Sequence, residues 1–364
     1  MISAKTILAA FVLARLALAM PSGTDTAKRA TCTVNSVSSA SSLSSCSSVV
    51  ISSFTVPSGS TLTMNFAEGA SVTMSGDVTF ASTTSSGPLV TIAGTGITFN
   101  GNGHKFDGNG PDYWDGEGTN GGKTKPHPFM KLKASGTLEN FTILNTPAQA
   151  ISMGNDDPVV VSGVTVDNSA GDTNSLGHNT DGFDCSESDV TIQNSVIKNQ
   201  DDCIAINAGS NIVFQNNQCS GGHGISIGSI ASGKTVSGVT ISGNTVTNSQ
   251  NGLRIKVNAD ATSASVSGVT YSGNTLSGIT DYGILVTESY PDSFGTPGTG
   301  ASISGINFTG SKTTVAVDSS ATRVAVNCGS GACSGTWNWG ELTVTGGKTS
   351  VIKAASATIS GGSY

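Results

Sequence analysis

Four consecutive stretches in the middle of the chain resemble one another and decide the fold: VTIQNSVIKNQDDCIAI (residues 190–206), IVFQNNQCSGGHGISI (212–227), VTISGNTVTNSQNGLRIKV (239–257) and VTYSGNTLSGITDYGILV (269–286). Each opens with a short strand of alternating apolar and polar residues, passes through a turn, and closes with a second alternating strand. The repeats begin roughly 22 to 30 residues apart, a period typical of solenoids. The chain is therefore predicted to wind into stacked coils.

The closing strands predict which side chains face the interior. Alignment gives one apolar column of Ile204, Ile225, Leu253 and Ile284, and a second column, two residues on, of Ile206, Ile227, Ile255 and Val286. Strand side chains alternate between two faces, so both columns share one face and their neighbours take the other. Coils that cannot bury their own apolar face can do so by stacking. These patterns predict an all-β fold, a right-handed parallel β-helix. A β-sandwich would need hairpin turns between neighbouring strands, which this register does not favour.

Two further patterns fit such a solenoid. An asparagine near the first turn of each repeat is expected to stack into a hydrogen-bonded ladder; the four are Asn194, Asn216, Asn244 and Asn274. The segment CTVNSVSSASSLSSC (32–46) is interpreted as a short N-terminal cap over the first coil.

The amino-acid composition supports a fold of many short strands, and the net charge limits the kinds of partner that we expect. Only 11% of the 364 residues are charged, against about 25% in an average domain. The 47 glycines suit tight turns, and the strict apolar alternation argues against disorder. A net charge of −7 makes a nucleic-acid partner unexpected. An anionic polymer would need a few locally placed cations.

The N-terminus predicts export. Residues 1–19 combine Lys5, a short apolar stretch and an Ala17-x-Ala19 cleavage pattern, as in a secretory signal peptide. Residues 20–29 are predicted to be a propeptide ending in the dibasic pair Lys28-Arg29, which leaves 30–364 as a single catalytic domain. No other apolar run approaches membrane length, so we expect a secreted, extracellular protein without membrane contact.

Seven cysteines in a secreted chain predict three disulfides and one free thiol. Their order favours the local pairs Cys32–Cys46, Cys203–Cys219 and Cys328–Cys333, although sequence alone does not fix the connectivity. Cys185 is left over; it aligns with Ile206 and is expected to be a buried, inert side chain. Asn140-Phe-Thr and Asn307-Phe-Thr are glycosylation sequons.

Polar residues stack beside the apolar columns. Asp181, Asp202 and His223 each lie two residues before the first apolar column in successive coils, and Asp201 adjoins Asp202. Stacked strands lie about 4.8 Å apart, so these groups are expected to converge. A single turn aspartate is usually solvated or caps the backbone, but clustered carboxylates raise one another's pKa, which folding does not require. Glycosidic cleavage needs one carboxyl as proton donor and another as anion.

Two cations are expected beside this cluster. Arg254 and Lys256 flank Ile255, so alternation sends both to the outer face that carries the aspartates. They could be ordinary solvated surface cations. Because cations are sparse in this chain, with 17 lysines and arginines in all, we favour a binding site for a sugar carboxylate.

The segments Asn179-Thr180-Asp181, Asp201-Asp202, Gly222-His223-Gly224 and Arg254-Ile255-Lys256 resemble the four signature segments of the polygalacturonases, glycoside hydrolase family 28. They occur in the family's order, and the resemblance covers essentially all of the chain after Ala30. It is closest to fungal endopolygalacturonases, especially basidiomycete ones. The supporting segments are TCTV near the start, YWDG (113–116) and ESYPD (288–292).

The resemblance implies endo-hydrolysis of the α-1,4 links of polygalacturonate with inversion, by a monomer without metal or cofactor. It implies Asp202 as general acid, Asp181 and Asp201 as the carboxylates that activate water, and His223 as the residue that tunes their protonation. It also implies a substrate-binding role for four residues, Arg254, Lys256, Tyr290 and Asn179. Carboxylates one rung apart would by the general rule indicate retention, so the expected inversion rests on the resemblance alone.

Three other activities remain open at this stage. The endo or exo mode of attack depends on loops that the repeats do not resolve. A calcium-dependent pectate lyase would share the fold and the substrate. A non-catalytic polysaccharide-binding β-helix would explain the stacking but not the carboxylates.

Overall fold

The structure is a computed structural model and describes residues 30–364. Thirty strands join into one parallel sheet over these residues. The first ten are β1 (Thr31–Val34), β2 (Ser48–Ile51), β3 (Phe54–Val56), β4 (Leu62–Asn65), β5 (Ser71–Met74), β6 (Val78–Phe80), β7 (Val90–Asn100), β8 (Lys105–Asp107), β9 (Met130–Glu139) and β10 (Thr142–Leu144). The next ten are β11 (Ile151–Met153), β12 (Val159–Ser162), β13 (Thr165–Asp167), β14 (Phe183–Cys185), β15 (Val190–Gln193), β16 (Val196–Asn199), β17 (Ile204–Ile206), β18 (Gly209–Gln215), β19 (Gln218–Gly221) and β20 (Ile225–Ile230). The last ten are β21 (Thr235–Ser242), β22 (Thr245–Asn258), β23 (Ala264–Ser272), β24 (Thr275–Tyr290), β25 (Ala301–Phe308), β26 (Thr313–Asn327), β27 (Cys333–Asn338), β28 (Leu342–Lys348), β29 (Val351–Lys353) and β30 (Ser356–Ser360).

Short 3₁₀ helices interrupt the strands. They span Ser38–Ser42, Gly110–Asp112, Gly118–Asn120 and Ser169–Ser175.

The strands stack into three parallel ladders that run the length of the molecule. The first ladder includes β12, β15, β18, β21 and β23, and the second includes β10, β13, β16 and β19. The third ladder includes β11, β14, β17 and β20, followed by the C-terminal halves of β22, β24 and β26. Long strands such as β22 and β24 belong to two ladders. Their N-terminal parts pair in the second ladder and their C-terminal parts pair in the third. The chain is therefore a parallel β-helix, as predicted.

The predicted register is confirmed along the third ladder. Phe183 pairs with Ile204, which pairs with Ile225 and so on through Leu253 to Ile284. Cys185 begins the second column and pairs with Ile206. Both columns lie in the hydrophobic core at 2% exposure or less. Alternation with period two fixed this register because a one-residue slip would expose the whole column.

The asparagine ladder exists, but two of its four predicted members were wrong. The backbone N–H of Asn217 donates to Asn244 Oδ1 (2.9 Å), and that of Asn244 donates to Asn274 Oδ1 (3.0 Å). Asn194 and Asn216 lie one residue earlier, at left-handed turn positions with φ of 55° and 56°. Asparagine tolerates this conformation better than other non-glycine residues, and Gly243 holds the same position in the next coil.

The N-terminal cap and the disulfides are as expected. The first strand and the helix Ser38–Ser42 cover the first coil, with Ala40 and Leu43 buried. All three predicted disulfides are present, and Cys185 is a buried free thiol. Burial raises the pKa of Cys185 to about 12.

Three further sequence predictions concern the N-terminal segments, membrane contact and the glycosylation sequons. The signal peptide (1–19) and propeptide (20–29) lie outside the described residues. Within 30–364 there is no helix of sufficient length and apolarity to cross a membrane. Asn140 is exposed, whereas Asn307 is half-buried and its Oδ1 accepts a hydrogen bond from the N–H of Asn338 (2.8 Å).

Candidate active site

The clustered polar residues occupy the turns that lead into the third ladder. Gly182 N–H donates to the carbonyl of Asp202 (2.9 Å), and His223 N–H donates to the carbonyl of Asp201 (2.9 Å). These bonds hold successive turns in register, one rung apart. The side chains of Asp201, Asp202 and His223 offer oxygen and nitrogen atoms that all lie within 4.8 Å of one another. The predicted convergence of these groups is present.

Asp202 lies at the centre of the cluster and is almost fully enclosed, at 1% exposure. Its Oδ1 accepts hydrogen bonds from Arg254 Nη2 (2.6 Å) and Ser226 Oγ (2.7 Å). Its Oδ2 accepts a bond from Lys256 Nζ (2.7 Å). Both carboxylate oxygens of Asp202 are therefore held by buried cations through charge-assisted hydrogen bonds. These contacts leave little of the Asp202 side chain open at the surface.

Arg254 and Lys256 share the outer face, as alternation predicts. They are more enclosed than expected, at 7% and 6% exposure, because their charged ends turn inward onto Asp202. The three groups together carry a net charge of one positive unit. Lys256 Nζ also lies 5.2 Å from the centroid of the Tyr290 ring. An attractive position for an anion therefore remains beside Tyr290, although Asp202 neutralises part of the charge.

Asp201 is more open than Asp202 and contacts the cluster's histidine. Its Oδ1 lies 3.0 Å from His223 Nδ1 and accepts a bond from the N–H of Asp202 (2.8 Å). The Asp201 side chain is 13% exposed and that of His223 is 34% exposed. Burial raises the pKa of Asp201, but the hydrogen bond and charge of His223, with smaller contributions from Lys256, bring it below the ordinary value. The protonation of Asp201 therefore depends on that of His223.

The surroundings of Asp181 favour its neutral, protonated form. Burial, followed by the negative charges of Asp201, Asp184 and Asp202, raises the pKa of Asp181 well above its ordinary value. Interacting carboxyls of this kind release their protons as a group.

Asp184 belongs to the same cluster and was missed by the sequence analysis. Burial, together with the charges of Asp202 and Asp201, raises the pKa of Asp184 to about 7. Asp184 stands between Phe183 and Cys185, so alternation alone points it outward. The next rung carries Ala205 at this position, so no polar column marks Asp184 in the sequence.

Asn179 touches the cluster through its amide. Its Nδ2 donates to Asp201 Oδ2 (3.1 Å), and its Oδ1 accepts from the N–H of Thr119 (3.0 Å). Asn179 thereby ties the short helix Gly118–Asn120 to Asp201. This contact orients the carboxyl, in addition to any contact with substrate.

The oxygen and nitrogen atoms of Asp201, Asp202 and His223 are close enough to bind one cation. Calcium prefers six to eight oxygen ligands, with carboxylates free to supply several of them. Both oxygens of Asp202 already accept bonds from Arg254 and Lys256. The donor set therefore fits calcium poorly, which disfavours the lyase alternative.

Comparison with known proteins agrees with this geometry. Residues 46–360 match the model of glycosyl hydrolases family 28. The chain is 46% identical over 360 residues to endopolygalacturonase A of Aspergillus niger, covering 96% of both proteins. It is 47% identical to a polygalacturonase of Penicillium janthinellum, covering 88% of this chain and 87% of that protein. The structure of endopolygalacturonase I from Stereum purpureum, complexed with two galacturonates, superposes with a TM-score of 0.90 at 62% identity, over 92% of this chain and 100% of that one. The chain belongs to glycosyl hydrolase family 28.

Proposed function

We propose that this protein is an endopolygalacturonase that hydrolyses the α-1,4-galacturonosidic links of polygalacturonate with inversion. The observation that carries this proposal is the enclosure of Asp202 between Arg254 and Lys256, next to Asp181, Asp201 and His223. The arrangement brings carboxyls in different electrostatic environments together with two buried cations. Relatives named endopolygalacturonase support the endo mode, and the greater identity to the Stereum enzyme than to the Aspergillus enzyme supports a basidiomycete-type protein.

Arg254 and Lys256 are proposed to attract the carboxylate of the sugar unit at the cleavage site. Their pairing with Asp202 fixes both side chains in position before substrate arrives, so little conformational entropy is lost on binding. Tyr290, whose ring lies against Lys256, is proposed to pack on the same sugar unit. Asn179 is proposed to shape this position through its contact with Asp201.

Asp201, rather than Asp202, is proposed to donate the proton to the leaving glycosidic oxygen. A general acid must reach the substrate and must be reprotonated after each turnover. Asp201 meets both requirements, because it is partly exposed and contacts the more exposed His223. His223 provides the route by which the proton is replaced.

Asp181 and Asp202 are proposed to orient and deprotonate the attacking water. Asp202 is held in place by Arg254 and Lys256, and Asp181 becomes a comparatively strong base once it ionises, because its pKa is raised. That raised pKa also makes Asp181 the second candidate for the proton donor. A substrate whose leaving group needs no proton distinguishes the two assignments.

The experiment that tests the activity compares viscosity with reducing ends. An endo-acting hydrolase lowers the viscosity of polygalacturonate steeply while few reducing ends have formed, whereas exo attack releases reducing ends first. Activity that needs calcium and gives unsaturated, ultraviolet-absorbing products would identify a lyase. Binding without release of reducing ends would identify a non-catalytic module. Proton NMR of the first product distinguishes inversion from retention.

We also propose that the protein is secreted as a monomer, needs no cofactor, and starts at Ala30 after removal of residues 1–29. The signal pattern and the dibasic Lys28-Arg29 support this maturation. The sequons at Asn140 and Asn307 are proposed glycosylation sites, with Asn140 the better presented of the two because it is exposed. Mass spectrometry of the exported protein measures its N-terminus and both glycans.

A further inference from the structure

We propose that Lys353 and Phe294 form a further binding position for a galacturonate carboxylate, beyond the catalytic rung toward the C-terminal end of the β-helix. This inference rests on the proposed function, because it assigns an extended uronate polymer to the outer face of the third ladder. It concerns the length of substrate that the enzyme recognises rather than the bond-breaking step.

The first supporting observation is the register of the third ladder. Lys256 pairs with Thr287, Thr287 with Asn327, and Asn327 with Lys353. Lys353 therefore lies in the same outward-facing column as the lysine that contacts Asp202. Three rungs of about 4.8 Å place the two lysines roughly 14 Å apart along the helix axis. Thr287 and Asn327 are buried beneath the residues that follow β24, so a polymer would pass over those residues between the two lysines, and a few sugar units would cover the distance.

The second observation is a repeated pairing of lysine with an aromatic ring. Lys256 Nζ lies 5.2 Å from the Tyr290 ring centroid, and Lys353 Nζ lies 4.7 Å from the Phe294 ring centroid. Both rings belong to the segment that leaves the end of β24. An ammonium next to an aromatic face can hold a uronate carboxylate while the ring packs against the sugar's C–H groups.

This segment is fixed firmly enough to present the Phe294 ring. Ser289 Oγ donates to the carbonyl of Asp292 (2.9 Å) and accepts from the N–H of Gly295 (2.9 Å). Asn327 Nδ2 donates to both Ser289 Oγ and the carbonyl of Gly295, each at 3.0 Å. Asn327 is itself a member of the lysine column, so the column and the segment are directly connected.

Lys353 is also free to receive an anion. It is exposed, and it is absent from the seven ion pairs found among residues 30–364. By contrast, Lys125 and Lys198 each contact an aspartate. Asp292, the carboxylate on the same segment, is exposed and makes no ion pair within that part of the chain.

The test measures kcat/KM on oligogalacturonates of increasing length for Lys353→Ala, with Lys353→Arg as the conservative variant. The matched control is Lys312→Ala, an exposed lysine in the turn between β25 and β26, away from the third ladder. For Lys353→Ala we expect a loss of about 2- to 5-fold on long oligomers and polymer, through KM, and none on the shortest cleavable oligomers. The loss should shrink at high salt. Lys353→Arg and Lys312→Ala should behave as wild type, and Phe294→Ala should show the same length dependence as Lys353→Ala.

Three results would overturn the inference. The first is equal kcat/KM for wild type and Lys353→Ala at every substrate length in low salt. The second is an equal loss on short and long substrates, and the third is an equal loss in Lys312→Ala. Failure of the proposed function is recognisable separately, since wild type itself would then release no reducing ends from polygalacturonate.

Discussion

At the scale of single residues, the central feature is that neighbouring carboxyls occupy different electrostatic environments. Asp202 has two cations within hydrogen-bond distance, Asp201 has a histidine, and Asp181 has mainly other carboxyls around it. We propose that these contacts, rather than residue type, divide the roles of anion and acid. Asp202 and Arg254 lie on rungs separated by the rung of Ser226, so their contact could not be deduced from the pairing of adjacent strands.

The identity of the proton donor can be tested with a leaving group that needs no proton. Asp201→Asn is expected to reduce hydrolysis of polygalacturonate by about 10²- to 10⁴-fold. On an oligogalacturonate α-fluoride its loss should be far smaller, because fluoride departs without general acid catalysis. Asp181→Asn and Asp202→Asn should be impaired on both substrates. Selective rescue of Asp202→Asn would restore the role that the sequence resemblance implies, and rescue of Asp181→Asn would assign the proton to that residue.

Cys185 provides a second prediction at this scale. Its pKa is raised to about 12 by burial, so almost no thiolate exists at neutral pH. The native protein is expected to resist alkylation by iodoacetamide and to react once denatured, which mass spectrometry detects. Rapid alkylation under native conditions, with the thermal midpoint unchanged, would show that the thiol is accessible.

At the scale of elements, the sequence predicted the apolar columns, which follow from alternation, and missed two single polar positions, Asn217 in a turn and Asp184 on a strand. The columns that begin at Phe183 and Cys185 were read correctly because an apolar column tolerates no slip. The two adjacent residues Asn216 and Asn217 could each have continued the ladder, and only backbone conformation distinguishes them. Asp184 was missed because Ala205, its neutral neighbour in the next rung, interrupts the polar column.

The asparagine ladder predicts a strong contrast between two substitutions. Asn244 is buried, accepts from the N–H of Asn217 (2.9 Å) and donates to the carbonyl of Phe214 (2.9 Å). Asn244→Ala leaves these groups without partners and should destabilise the fold by about 2 to 4 kcal/mol. The control Asn216→Gly should change stability by less than about 0.5 kcal/mol, since glycine adopts the φ of 56° without strain. Denaturant unfolding measures both, and equal effects would contradict the ladder's structural role.

At the scale of the whole molecule, a protein of net charge −7 is proposed to act on a polyanion by concentrating a few cations along one column. The same fold buries a further carboxyl outside the aspartate cluster. Glu288 is 1% exposed, its Oε2 accepts from the N–H of Gly329 (2.9 Å), and its Oε1 has no partner. Burial raises the pKa of Glu288 to about 7.

This raised pKa predicts a dependence of stability on pH. The native protein holds the Glu288 proton more tightly than the unfolded chain, so its stabilisation is complete below about pH 4.5 and is lost as pH rises toward 7. Glu288→Gln cannot ionise and should flatten the fall in thermal stability over this interval by up to about 3 kcal/mol. The exposed Glu68→Gln is the control and should follow wild type. An unchanged slope in Glu288→Gln would show that Glu288 is ionised in the fold throughout.

The most direct test of the account is the initial rate of reducing-end release from polygalacturonate by Asp201→Asn, measured beside wild type and the exposed control Asp318→Asn. We predict that Asp201→Asn loses at least about 100-fold in kcat with an unchanged thermal midpoint, while Asp318→Asn retains the wild-type rate. A folded Asp201→Asn protein that releases reducing ends as fast as wild type would contradict hydrolysis by this carboxylate cluster.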